Sequence, residues 1–152
     1  MRAARHVAAG ATHYVRGGTG KGGGYDCSGF IAAVFQRVGR QVVLAGGTAN
    51  KVANIHAWCE KNGFQPKMRK PLPGDLVFFD ATYDVNGDGK TDARDRLSHA
   101  GIVESIRPDG WFVMVHAAGV RRGITRTTYE WTGRFKPKYG TISGVTFIPP
   151  AL

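Results

Sequence analysis

The chain has 152 residues, 42% hydrophobic and 21% charged, about one domain's worth, with enough apolar side chain to bury a core without disulfide staples. Twenty-one Lys and Arg against eleven Asp and Glu give a formal net charge of +10, which favours polyanionic surroundings such as nucleic acid, anionic lipid or an acidic cell-wall polymer without choosing among them. The basic residues, among them Arg37, Lys51, Lys67, Arg121 and Lys136, are scattered, which argues against a dedicated nucleic-acid arm; no apolar stretch approaches the roughly 20 residues that span a bilayer, and residues 1–18 lack the apolar centre of a signal peptide.

In chain order, residues 2–9 form a short helix, and Gly17, Gly18, Gly20, Gly22, Gly23 and Gly24 then crowd one loop. That loop is not a phosphate cradle, because no Lys-Ser or Lys-Thr pair follows its last glycine and no βαβ pattern surrounds it. After Cys27, the residues Phe30, Ile31, Val34, Phe35 and Val38 recur at helical spacing, with Gly39 as a stop. A second helix is predicted from about Asn50 to Lys61, with Val52, Ile55 and Cys59 on one face and Asn62-Gly63 ending it. Short β-rich runs follow at 75–79, 101–106 and 111–115, with Pro108-Asp109-Gly110 as a hairpin turn, and further strands are expected near 123–129 and 145–148. Helices followed by a meander of antiparallel strands make an α+β domain with the helices packed on the sheet, and no repeat or linker divides 1–152.

The two cysteines have different settings. Cys59 lies on the apolar face of its helix and reads as a small buried hydrophobe. Cys27 opens a helix, where unpaired N–H groups and the positive end of the dipole lower a thiol's pKa, and it precedes Phe30 and Ile31 by three and four residues, so it faces the sheet. The natural base is His99, in Ser98-His99-Ala100-Gly101-Ile102-Val103 at the start of a core strand. If that strand pairs with the next across 108–110, His99 and His116 become neighbours, and His116 orients His99 as the third member of a triad does. Asp26 and Ser28 read as supports of the turn and helix start, and the Cys27 backbone N–H as an oxyanion donor.

The strings Asp26-Cys27-Ser28-Gly29-Phe30, Pro73-Gly74-Asp75-Leu76-Val77-Phe78-Phe79, Ser98-His99-Ala100-Gly101-Ile102-Val103 and Val115-His116-Ala117, in this order, resemble the NlpC family of cell-wall cysteine peptidases across roughly residues 10–148. The resemblance implies a papain-like fold, with helices on an antiparallel sheet or small barrel, and places nucleophile, base and third polar residue on Cys27, His99 and His116. Tyr14 matches the tyrosine that lines the family's site and supports the oxyanion. It further implies that the partner is peptidoglycan rather than nucleic acid, that an amide of its peptide stem is hydrolysed, as between D-glutamate and the diamino acid, and that the protein acts outside the cytoplasm. A monomer is expected, with an immunity or inhibitor protein as a further candidate partner. Rival readings are an amidase or acyltransferase on the same fold and a non-catalytic, calcium-dependent cell-wall binding module.

An insertion stands between the 75–79 strand and His99. Counted from Asp84, acceptor side chains at Asp84, Asn86, Asp88, Asp92 and Asp95, a glycine at Gly89 and a backbone carbonyl at Lys90 follow the spacing of an EF-hand-type calcium loop. It also resembles the dockerin loop, in which the last position is Asp. Poorly helical flanks predict a bare loop, and a structural calcium is expected to stiffen the segment presenting His99. Chelation should therefore lower both turnover and melting temperature; a chelator that changes neither contradicts the expectation.

Overall fold

The structure, a computed structural model, describes residues 1–10, 13–42, 50–62, 70–131 and, by backbone, 141–147. Its elements are α1 (Arg2–Gly10), β1 (His13–Tyr14), β2 (Gly24–Tyr25), α2 (Cys27–Arg37), α3 (Lys51–Lys61), β3 (Asp75–Asp80), β4 (His99–Ile106), β5 (Phe112–Ala117), β6 (Ile124–Tyr129) and β7 (Thr141–Phe147). The expected α+β architecture is present; Gly63 and Ile148, named above as boundary residues, lie outside the described residues.

Local chemistry sets the helix ends. Asp26 caps α2 by accepting the Gly29 N–H at 2.7 Å, and Asn50 caps α3 by accepting from Val52 and Ala53 at 3.0 and 3.1 Å. Gly39, at φ 74°, takes the left-handed conformation that lets the chain turn away after α2. Along α2, Phe30, Ile31 and Phe35 are fully buried against the sheet, each contributing about 1.5–3 kcal/mol.

The sheet order is β6-β5-β4-β3-β7, all neighbours antiparallel. This corrects the simple meander read from the sequence. The last strand crosses back to pair with β3 rather than extending from β6, a choice that no local pattern encodes. β1 and β2 add a small parallel pair that was not anticipated. Strand β4 lies in the middle of the large sheet, and the histidine that begins it pairs with Phe79 of β3.

One face of the sheet, with Leu76, Phe78, Ala100, Ile102, Val115 and Ala117, packs on the helices. The other buries Val77, Phe79, Val103, Phe112 and Met114 with Tyr129. Flat pleating would keep β3 and β6, separated by two strands, about 14 Å apart, yet the Phe79 and Tyr129 rings are 5.5 Å apart between centroids. The sheet therefore curls into a half-barrel, and its concave face becomes a second core.

Gly29 lies in the first turn of α2, where an added Cβ would overlap the backbone carbonyl of Gly18. The close approach holds the glycine loop against the helix start, and the Asp26 N–H donates to that same carbonyl at 3.1 Å. Gly29→Ala should cost about 1–3 kcal/mol by overpacking against backbone that cannot rotate away. Denaturant unfolding checks this, and an unchanged midpoint would refute the contact.

Candidate active site

A cavity of about 770 Å³ opens where the start of α2, the start of β4, the end of β5 and the insertion meet, and Cys27, His99, His116, Tyr14, Asp26 and Ser28 all line it. The three residues read as nucleophile, base and orienting group thus come together from separate parts of the chain. Cys27 is 8% exposed and Cys59 is fully buried, both as free thiols.

Asp26 and Ser28 support the turn as expected. Ser28 Oγ donates to Asp26 Oδ1 at 2.7 Å, and the same oxygen takes the Gly29 N–H. Backbone hydrogen bonds from Ala100, Ser28 and Cys27 favour the Cys27 thiolate, but burial and then the Asp26 charge outweigh them and push the thiol up to about 12. This corrects the lowered pKa expected from the helix terminus: a dipole is weak beside the loss of water around an anion. Tyr14 is likewise pushed up to about 12, by burial first and then by Cys27, so its hydroxyl keeps its proton.

His99 and His116 lie on neighbouring strands. The pairing places Ile102 opposite Val115 and Val103 opposite Met114, so the rings meet diagonally rather than face to face, with His99 Nε2 2.7 Å from His116 Nδ1. A Cβ on Gly101 would meet the Met114 side chain first, at 2.5 Å from its sulfur, and His116 Cβ at 2.9 Å, so glycine makes room for both residues of the facing strand. On its far side His116 Nε2 is 2.9 Å from Thr127 Oγ1, and the Thr127 hydroxyl is also hydrogen-bonded to Tyr129. Where Thr127 accepts from His116 Nε2–H and His116 Nδ1 accepts from His99 Nε2–H, His99 Nδ1 is the nitrogen left free to act as a base; the opposite tautomers reverse both donors. No hydrogen bond joins Cys27 to His99 among the described residues; the thiol accepts instead from Ala100, one residue along β4.

The insertion walls the cavity through Tyr83, Asp84 and Val85. It is a bare loop, as expected, and its acceptors are turned onto its own backbone. Asp84 accepts from Gly87 at 2.6 Å and Gly89 at 2.8 Å, Asn86 from Asp88 at 2.9 Å, and Asp88 from Lys90 at 3.0 Å. Asp95, wholly buried, accepts from Val85, Asn86 and Asp92. Arg94 pairs with Asp88 at 2.8 Å and Asp92 at 2.7 Å. Among the described residues no three acidic, imidazole or thiol groups are gathered so as to hold a metal ion. In this arrangement the loop is braced by its own N–H groups and one internal cation.

Sequence reasoning missed Thr127, Tyr83, Arg16 and Arg122. Thr127 belongs to the relay only through the β5–β6 register, and the other three reach the cavity from loops whose paths no periodicity reports.

A family model for the NlpC/P60 family matches residues 11–129, and the chain belongs to that family, whose general chemistry is that of cell-wall cysteine peptidases. Among solved structures, a Staphylococcus aureus protein described as similar to a lipoprotein of the NLP/P60 family superposes with a TM-score of 0.58 at 20% identity, over 97% of this chain and 40% of the other. The chain thus spans less than half of that neighbour, and at this identity the likeness is one of fold. No curated protein matches the sequence.

Burial lowers His99 to about 4 and, with the neighbouring His99 charge, His116 to about 3, from the ordinary 6.5. The unfolded chain takes up protons below about pH 6.5 that the fold refuses until pH 3–4, so this part of the stability is full above pH 6.5 and is lost as pH falls through that window. The slope is at most about 1.4 kcal/mol per pH unit for each histidine. Melting temperatures between pH 7 and 4 should fall less steeply for His116→Gln than for wild type; parallel curves would rule the linkage out.

Proposed function

We propose that the protein is a cysteine peptidase that hydrolyses an amide in the peptide stem of peptidoglycan, with the bond between D-glutamate and the diamino acid as the expected target. The observation that carries this reading is the relay of His99, His116 and Thr127 ending on the cavity that also holds the Cys27 thiol.

Thiol and imidazole are both neutral at rest. As the substrate carbonyl arrives, His99 Nδ1 takes the Cys27 proton and sulfur attacks the carbonyl carbon. The oxyanion is met by the Cys27 N–H and the protonated Tyr14 hydroxyl. His99 then gives its proton to the leaving nitrogen as the C–N bond breaks, leaving a thioester. His99 next takes a proton from water, the hydroxide adds to the thioester, and the released thiolate recovers the proton. In both half-reactions the imidazolium is steadied by the Nε2–H bond to His116. Asp26 and Ser28 hold the turn that presents the thiol.

Peptidoglycan as substrate places the reaction outside the cytoplasm, in keeping with the lipoprotein description of the structural neighbour; no described helix is long and apolar enough to cross a membrane. The +10 charge suits an anionic polymer. A monomer and an immunity or inhibitor protein that plugs the cavity complete the proposal. Calcium binding by Asp84, Asn86, Asp88, Lys90, Asp92 and Asp95 is a further proposal that rests on their spacing. The ion would have to displace Arg94, so affinity on the order of 10⁻⁴–10⁻³ M is expected.

Digestion of purified peptidoglycan, read by mass spectrometry, should give stem fragments that vanish with Cys27→Ala and name the bond. Thr127→Val should lower kcat about 10-fold or more with KM little changed, because it removes only the group that sets the His116 tautomer. Fragments that persist with Cys27→Ala would overturn the peptidase reading, and an unaltered kcat in Thr127→Val would remove threonine from the relay.

A further inference from the structure

The charged side chains lining the cavity are Arg16, Lys51, Arg122, Asp26 and Asp84. Both carboxylates are already engaged: Asp26 by Ser28 and Gly29, Asp84 by the N–H groups of Gly87 and Gly89. The cations are not. Among the described residues neither Arg16 nor Arg122 has an acidic partner, and Lys51 makes only a 3.4 Å contact to the Gly17 carbonyl. Both 11-residue helices also begin at this cavity, α2 at Cys27 and α3 at Lys51, and each adds about half a positive charge. The lining therefore awaits anions that the described residues do not supply.

The two arginines stand on different walls. Arg16 follows β1 and its charge bears on Tyr14 and Tyr83. Arg122 lies in the β5–β6 turn and its charge bears on His116 and Tyr129. A cation on each of two walls around one thiol matches a carboxylate on each side of the reacting bond.

We propose that the cleft selects a substrate bearing a carboxylate on each side of the scissile amide, Arg16 with Lys51 receiving one and Arg122 the other. Stem peptides with free carboxyl groups are then preferred over the same peptides with those groups amidated. The inference rests on the peptidase reading and adds the specificity of its site.

The test pairs two synthetic stem peptides, L-Ala-D-Glu-diamino acid-D-Ala, one with free side carboxyls and one with both as carboxamides. Wild type should cleave the free acid at least about tenfold faster in kcat/KM. Arg16→Gln and Arg122→Gln, both at exposed positions, should each erode that preference several-fold, and Arg→Lys should restore most of it. Equal cleavage of the two peptides by wild type overturns the proposal and leaves the peptidase standing. If neither peptide is cleaved, the peptidase reading fails and alkylation of Cys27 decides. An iodoacetate-to-iodoacetamide rate ratio above that of free cysteine, and lowered in the arginine variants, supports the anion-selective cleft; a ratio equal to that of free cysteine refutes it.

Discussion

The chemistry of this site depends on the first turn of α2 lying flat against the backbone of β4. Only there does the Ala100 N–H reach the Cys27 sulfur, and only a residue without a side chain at Gly29 lets the glycine loop close over the same turn. Asp26 joins the two demands, capping the helix and bracing Ser28 with one carboxylate oxygen. The thiol is thereby held almost out of water, which raises its pKa rather than lowering it. On the proposed peptidase reading, the nucleophile is made by proton transfer to a neutral imidazole as the substrate arrives rather than stored as a resting thiolate.

The histidine pair depends on a different feature, the curl of the sheet. Tyr129 packs on its cross-strand partner Phe112 at 5.6 Å between centroids and, because β6 rolls over toward β3, on Phe79 at 5.5 Å, and the two imidazoles meet aromatic surface. Enclosure favours the neutral form of both rings, and a hydrogen-bonded row runs from His99 through His116 to Thr127. In low dielectric such a row is stronger than the same contacts in water. A histidine left exposed would titrate near neutrality and lose its tautomer with it.

The insertion is tied down at both feet. Ala81 and Leu97 adopt positive φ, 54° and 51°, at a cost of about 1–3 kcal/mol each. The Ala81 N–H donates to the Asp95 carbonyl at 2.8 Å and the Leu97 N–H to Asp80 Oδ1 at 2.7 Å, while Thr82 bonds to Ser98 through both its N–H and its hydroxyl. These bonds offset the strain. They also join the loop to the residue that precedes His99, so a wall of the cleft and the proposed base move as one piece.

Much of the site was legible in the sequence because its parts are local. A capped helix start, a histidine opening a β run and a second histidine closing the next strand each leave a pattern within a few residues, and Cys27, His99 and His116 could be singled out from those patterns. The spacing across 108–110 even placed the two rings near one another, although the register set by the turn, shifted one residue by the β-bulge between Val103 and Ser105, leaves their meeting diagonal. What tertiary structure alone decided is non-local: the return of β7 to the β3 edge, the register that brings Thr127 under His116, the convergence of Arg16, Lys51, Tyr83 and Arg122 from separate segments, and the sign of the Cys27 shift. Hydrophobic periodicity reports which face of an element is buried but not which other element covers it, and a pKa depends on how much water that covering removes.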